Sequence, residues 1–181
     1  MSTTRIYQIL CAVLISITLA VSISACQKAA VKHQNPLLKQ SGNFDTTANI
    51  KYRDLHATAT ITRETPGACS VSFTSPASLA DMSFVFHDGV VDIAYKGIGF
   101  TFSPNSLPGG AVAKVAVAAI NKAMRDDGLE VEYTEGALIL NGIMENGAFT
   151  LRIDPESGNL LKLAIPAQQL EIDFFGFNFL D

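Results

Sequence analysis

From about residue 44 to the end of the chain, apolar and polar residues alternate with period two, in short runs separated by turn-forming residues. Such a pattern places one apolar face on each of many short strands, and this demands a sheet whose inner face is covered. In residues 49–65, Leu55, Ala57, Ala59 and Ile61 alternate with His56, Thr58, Thr60 and Thr62, which reads as one long strand ended by a turn at Thr65-Pro66-Gly67. "ACSVSFTSP" follows, and Asp88-Gly89 divides residues 81–97 into a hairpin, because both residues tolerate positive φ. "IGFTFS" continues the alternation.

One segment departs from period two. In residues 105–128, Val112, Val115, Ala116, Ala119, Ile120, Ala123 and Met124 recur at three- and four-residue spacing, which predicts an amphipathic helix with a small-residue face. Pro108 suits its start, Lys122 and Arg125 its negative end, and Gly128 its stop. Strands then resume as "LEVEYTEG", "ALILNGI", "AFTLRID", "NLLKLAIPA" and "LEIDFFGFNF", an antiparallel meander with a turn at Asn146-Gly147. In the last segment Leu170, Ile172 and Phe174 alternate, and Phe175, Phe177 and Phe179 then take the opposite phase. A bulge at Gly176 would return the phenylalanines to one face.

The fold class expected from this pattern is β-rich α+β: an open, curved antiparallel half-barrel of about ten strands with a central amphipathic helix against its concave face. A chain of 181 residues with 48% hydrophobic content suits one such domain, here residues 44–181, and leaves no room for a second of similar size. The formal net charge is −4, and no run of Lys or Arg marks a nucleic-acid footprint.

The first 25 residues stand apart, because from Ile6 to Ala25 there is no charged side chain. About 20 residues at 1.5 Å rise would span a bilayer core, so an uncleaved anchor fits the length. A signal peptide fits the small residues Ser22, Ser24 and Ala25 before Cys26. Ile23-Ser24-Ala25-Cys26 resembles a bacterial lipobox, the motif at which a lipoprotein precursor is acylated on cysteine and cut. That resemblance implies a leader over residues 1–25, lipidation of Cys26 by fatty acyl chains such as palmitate, and a polar tether over residues 26–43. It also implies a location in the cell envelope, lipid-anchored on the extracytoplasmic side of a bacterial membrane. Two alternatives stay open: the uncleaved helix, and a cysteine that merely lies near the end of a signal helix. The remaining thiols form no disulfide framework, since Cys11 lies in the apolar run and Cys69 in a strand as a small buried thiol.

The order of lipobox, tether, a strand group ending "ASLADMSFVFHDGVVDIAYKGIGFTFSPNSLP", a helix, and a meander containing "LNGIMENGAFTLRIDPESGNLLKLAIP" is similar to the LolA/LolB/LppX-like group of bacterial lipoprotein localisation factors. The resemblance implies a non-catalytic protein that holds acyl chains or other apolar ligands between sheet and helix. The residue pattern points to the same place, because a concave apolar sheet under a small-residue helix can leave a cavity. Candidate lining residues are Phe84, Phe86, Phe100, Phe102, Val115, Ala119 and Ile120, with a closed core as the alternative for each.

Enzyme chemistry finds little support. His33, His56 and His87 share no metal-ligand spacing, Asp126-Asp127 and Glu130/Glu132 read as an acidic turn and an outer strand face, and Ser103 and Ser106 lack a nucleophile-elbow context. No cofactor is expected. Expected partners are the membrane through acylated Cys26, a lipid or other apolar ligand, and, on the rival reading, an envelope protein that uses the fold as a scaffold.

Overall fold

A computed structural model describes residues 42–64, 68–108, 111–125 and 128–180. The expected leader, Cys26 and the tether up to residue 41 lie outside the described residues, as do Thr65-Pro66-Gly67 and Asp126-Asp127. The strands are β1 (Phe44–Tyr52), β2 (Leu55–Glu64), β3 (Ala68–Ser75), β4 (Met82–His87), β5 (Val90–Tyr95) and β6 (Ile98–Phe102). Helix α1 (Val112–Arg125) follows, and then β7 (Glu130–Thr134), β8 (Ala137–Met144), β9 (Gly147–Ile153), β10 (Leu160–Ile165) and β11 (Leu170–Phe179).

All eleven strands form one antiparallel sheet in the order β6-β5-β4-β3-β2-β1-β11-β10-β9-β8-β7. The first and last strands pair at its centre, and β6 and β7 are left as the two edges. The sheet is therefore open, and the segment joining its two edges carries α1. Buried residues of α1 belong to one continuous cluster with residues of β1–β5 and β8–β11. A flat sheet with ten strand spacings would be about 48 Å wide, against a helix about 10–12 Å across. One helix shares a core with so many strands only if the sheet curls around it.

The expected bulge in β11 is present. Thr47 pairs with Phe175 and Asp45 with Asn178, so one extra residue of β11 is accommodated, with Gly176 at φ 59. Phe177 then stacks on Phe44 with ring centroids 4.7 Å apart, and Phe179 meets Phe177 edge-on at 4.9 Å. Phe175 precedes the bulge and stays on the outer face, 47% exposed. Thr46, fully buried opposite the bulge, donates its hydroxyl to the Phe175 carbonyl at 3.0 Å.

One expectation is corrected. Residues 49–65 are not a single strand: β1 and β2 form a hairpin through Arg53-Asp54, with Tyr52 opposite Leu55. Arg53 has φ 53, a conformation usually given to Gly or Asn, so the turn carried no compositional signal. By contrast Asp88-Gly89, Lys96-Gly97 and Glu135-Gly136 all have positive φ at both residues, as two-residue hairpin loops require.

Gly42 and Asn43, expected at the end of the tether, are fastened to the fold. The Gly42 carbonyl accepts from Arg63 Nη1 at 2.6 Å, and the Asn43 carbonyl accepts from the Leu180 amide at 3.0 Å. Arg63 is 9% exposed, and its Nε also donates to Asn121 Oδ1 of α1 at 3.3 Å. Asn121 lies in the C-terminal half of α1, where the helix dipole favours a cation. One buried guanidinium thus joins β2, the chain entry and the helix.

Candidate functional site

Register brings the apolar residues of β4, β5 and β6 into a three-by-three array on the inner face. Met82, Phe84 and Phe86 of β4 lie opposite Tyr95, Ile93 and Val91 of β5, and these lie opposite Ile98, Phe100 and Phe102 of β6. Burial is similar on β4 and β5 and drops at β6. Val91 and Phe86 are buried, and Phe84 and Ile93 are half-buried. Ile98, Phe100 and Phe102 are 62%, 60% and 41% exposed.

The sequence candidates therefore separate into two groups. Val115, Ala119 and Ile120 are at most 1% exposed and are closed core beneath α1, together with Phe86. Phe100 and Phe102 lie on the uncovered end of the same face, their ring centroids 6.2 Å apart. Phe84 stands between the groups and packs edge-to-face on Phe73 at 6.2 Å. Met82, Val91, Ile93, Tyr95 and Ile98 complete the array but were not among the candidates. Their signal was alternation in phase with Phe84 and Phe100, which becomes a surface only once strand register is known.

The outer face of these same strands is polar. His87 Nε2 lies 2.7 Å from Asp92 Oδ2, His87 Nδ1 lies 3.3 Å from Asp88 Oδ2, and the Thr101 hydroxyl donates to the other Asp92 oxygen. This chain of bonds ties the end of β4 through β5 to β6. Hydrogen bonding to Asp92 and then Asp88 raises the His87 pKa, and the Asp92 carboxyl is held below its usual range chiefly by His87. Thr101 bonds the carboxylate and not the imidazole, so the trio lacks the nucleophile-to-base contact that covalent catalysis needs. His87 is expected to titrate by NMR with a midpoint above its ordinary 6.5, and Asp92→Asn should bring that midpoint down. Because the folded pKa is raised, the stability from this tie is fully present below the ordinary imidazole value and fades as pH rises through the folded value.

Cys69 is buried opposite Arg63 on the inner face, and burial pushes its thiol up to about 12, the nearby guanidinium offsetting this only in part. At neutral pH it is a protonated thiol and a poor nucleophile. The Ser103 side chain accepts from the Asn105 amide at 3.4 Å, capping a short 3-10 turn. Glu130 and Glu132 are exposed on edge strand β7. Among the described residues, no group of three or more His, Cys, Asp or Glu is arranged to hold a metal ion.

No protein-family model matches the chain, and no curated protein matches it in sequence. Several solved structures are similar to it. A conserved uncharacterised protein from Thermus thermophilus aligns over 78% of this chain and 80% of its own at 14% identity, with a TM-score of 0.53. A LolA superfamily protein from Nitrosomonas europaea aligns over 84% and 95% at 14% identity, with a TM-score of 0.43. A structure of the CwlD amidase from Clostridioides difficile in complex with the GerS lipoprotein aligns over 91% and 86% at 11% identity, with a TM-score of 0.44. At these identities the Thermus likeness shows a shared fold, and LolA-superfamily and lipoprotein structures stand among the similar ones.

Proposed function

We propose that this protein is a membrane-anchored bacterial envelope lipoprotein whose sheet binds an acyl chain or another apolar ligand at the uncovered end of its inner face. The observation that carries the reading is the exposed row Ile98, Phe100 and Phe102, continuous with half-buried Phe84 and Ile93. Three neighbouring large apolar side chains in water are a binding surface more often than a solvated face. The lipobox-like Ile23-Ser24-Ala25-Cys26 supports the anchor. On this reading the ligand lies along β6 and against the edge of the closed core, with α1 serving as packing.

Native mass spectrometry of the full chain, released gently from neutral detergent, tests the reading. A lipid-sized adduct is expected, and Phe100→Ser with Phe102→Ser should remove it. A ring buried by the ligand is worth about 1.5–3 kcal/mol, so each substitution should weaken binding by about tenfold or more. The reading fails if no adduct forms, or if it persists unchanged in the double variant.

A second reading, a protein-interaction module, draws on one specific feature. Edge strand β6 carries no charged residue, whereas edge strand β7 displays Glu130 and Glu132, which discourage strand addition. Cross-linking in the native membrane from residues of β6 separates the two, since the scaffold reading requires a discrete protein adduct.

A further inference from the structure

We propose a second ligand site on the outer face, built for a phosphorylated polyol and independent of the inner-face site. The turn after β1 and the ends of β10 and β11 enclose a pocket of about 350 Å³. Lys51 and Arg53 supply its cations, Ala164 and Pro166 its apolar wall, and Gln169 and Glu171 its remaining polar groups. A neighbouring pocket, also of about 350 Å³, shares Lys51 and is lined by Asn49, Thr58, Ser75 and Asp173 among others.

The charges in these pockets are unequally committed. Lys162 Nζ lies 2.9 Å from Glu171 Oε2 and 3.8 Å from Asp173 Oδ1, so one lysine engages the carboxylate of each pocket. Its hydrogen bond and charge hold the Glu171 carboxyl below its usual range. Lys51 and Arg53 make no ion pair within 4 Å among the described residues. Lys51 adds a smaller charge interaction with Glu171, its partner across the β1–β11 pair. Among the described residues, Arg53 is thus the cation no carboxylate engages and Lys51 is only partly engaged; both can face an incoming anion.

Arg53 is also held in place. Its guanidinium carbon lies 5.2 Å from the Tyr52 ring centroid, and its amide donates to the Gln169 carbonyl at 3.0 Å. Both Arg53 and Gln169 have positive φ, at 53 and 51, so two residues that favour other conformations meet at this pocket. A glycine would relieve that strain at Arg53 but would remove the charge.

The adjoining pocket offers donors for hydroxyl-bearing ligands. Ser75 Oγ accepts from the Thr58 amide at 3.1 Å, which leaves its own hydrogen to donate. Asn49 Oδ1 accepts from the Thr58 hydroxyl at 3.3 Å, which leaves its amide N–H groups to donate. The anionic group binds at Lys51 and Arg53, and the polyol extends toward Asn49 and Ser75. Such a ligand is either a free polyol phosphate or the headgroup of a glycerophospholipid.

The test is amide NMR of the full chain in neutral detergent micelles, titrated with glycerol phosphate, with inorganic phosphate, or with phosphatidylglycerol doped into the micelles. Saturable shifts are expected at residues 49–53 and at Gln169, with inorganic phosphate weaker than glycerol phosphate. The exposed changes Lys51→Gln and Arg53→Gln together should weaken binding by about tenfold or more while the remaining spectrum is unchanged. Response to free glycerol phosphate assigns the soluble ligand, and response to the doped micelles alone assigns the lipid headgroup. The proposal is overturned by silence in both arms, by equal shifts in the double variant, or by inorganic phosphate binding as tightly as glycerol phosphate. The Phe100 and Phe102 variants leave this site intact, so the two sites fail separately.

Discussion

Cys26→Ala, made behind a leader that is cut without acylation, is expected to transfer the protein from the membrane fraction to the soluble fraction and to abolish incorporation of labelled palmitate. Each buried methylene of an acyl chain contributes about 0.8 kcal/mol, so one chain holds a protein marginally and two or more hold it durably. Summed over two chains, that free energy exceeds the cost of truncating any single core side chain of the domain. Residues 44–181 carry their own core, so the domain should keep its circular dichroism spectrum in the variant. If the unaltered chain takes up no labelled palmitate and keeps residues 1–25, the apolar run from Ile6 to Ala25 is an uncleaved helix and the lipobox reading is wrong.

Phe149→Ala should lower unfolding stability by about 3–5 kcal/mol, a large share of the roughly 5–15 kcal/mol typical of a domain. Phe149 is 1% exposed and lies opposite Gly142 across the β8–β9 pair. Its ring covers the glycine backbone: a Cβ on residue 142 would meet ring atoms at 2.6 Å and Leu129 Cδ2 at 2.8 Å. Gly142→Ala should therefore cost about 1–3 kcal/mol through overpacking, even though alanine is the better strand residue by backbone entropy. Combining Gly142→Ala with Phe149→Leu should cost less than the two changes added, because the smaller side chain vacates the space the new methyl needs. Urea denaturation followed by circular dichroism measures these variants and Phe149→Leu alone, which completes the cycle. Strict additivity would show that the ring and the glycine are not coupled.

Much of the architecture was legible because its cause is local. Alternation placed the strands, a single change of period placed α1, and Asp88-Gly89 placed a turn whose backbone demands those residues. The bulge at Gly176 was legible from the phase change of the phenylalanines alone. The hairpin at Arg53-Asp54 was not, because its left-handed residue is an arginine held by contacts that only the folded chain supplies. Arg63 was equally silent, since an arginine in strand phase does not announce that its guanidinium will be buried beside α1 and Gly42.

The candidate site divides along the same line. The sequence by itself determined that Phe84 and Phe86 share one face of their strand and that Phe100 and Phe102 share one face of theirs, because side-chain direction alternates along a strand. It also determined that Val115, Ala119 and Ile120 share one face of a helix. Only the tertiary structure decided that Phe86 and the helix residues are closed core while Phe100 and Phe102 face solvent. Exposure depends on how far a fourteen-residue helix reaches across an eleven-strand sheet, and on which strand becomes an edge. Both follow from long-range pairing of β1 with β11, a contact between residues more than a hundred positions apart that no local pattern encodes.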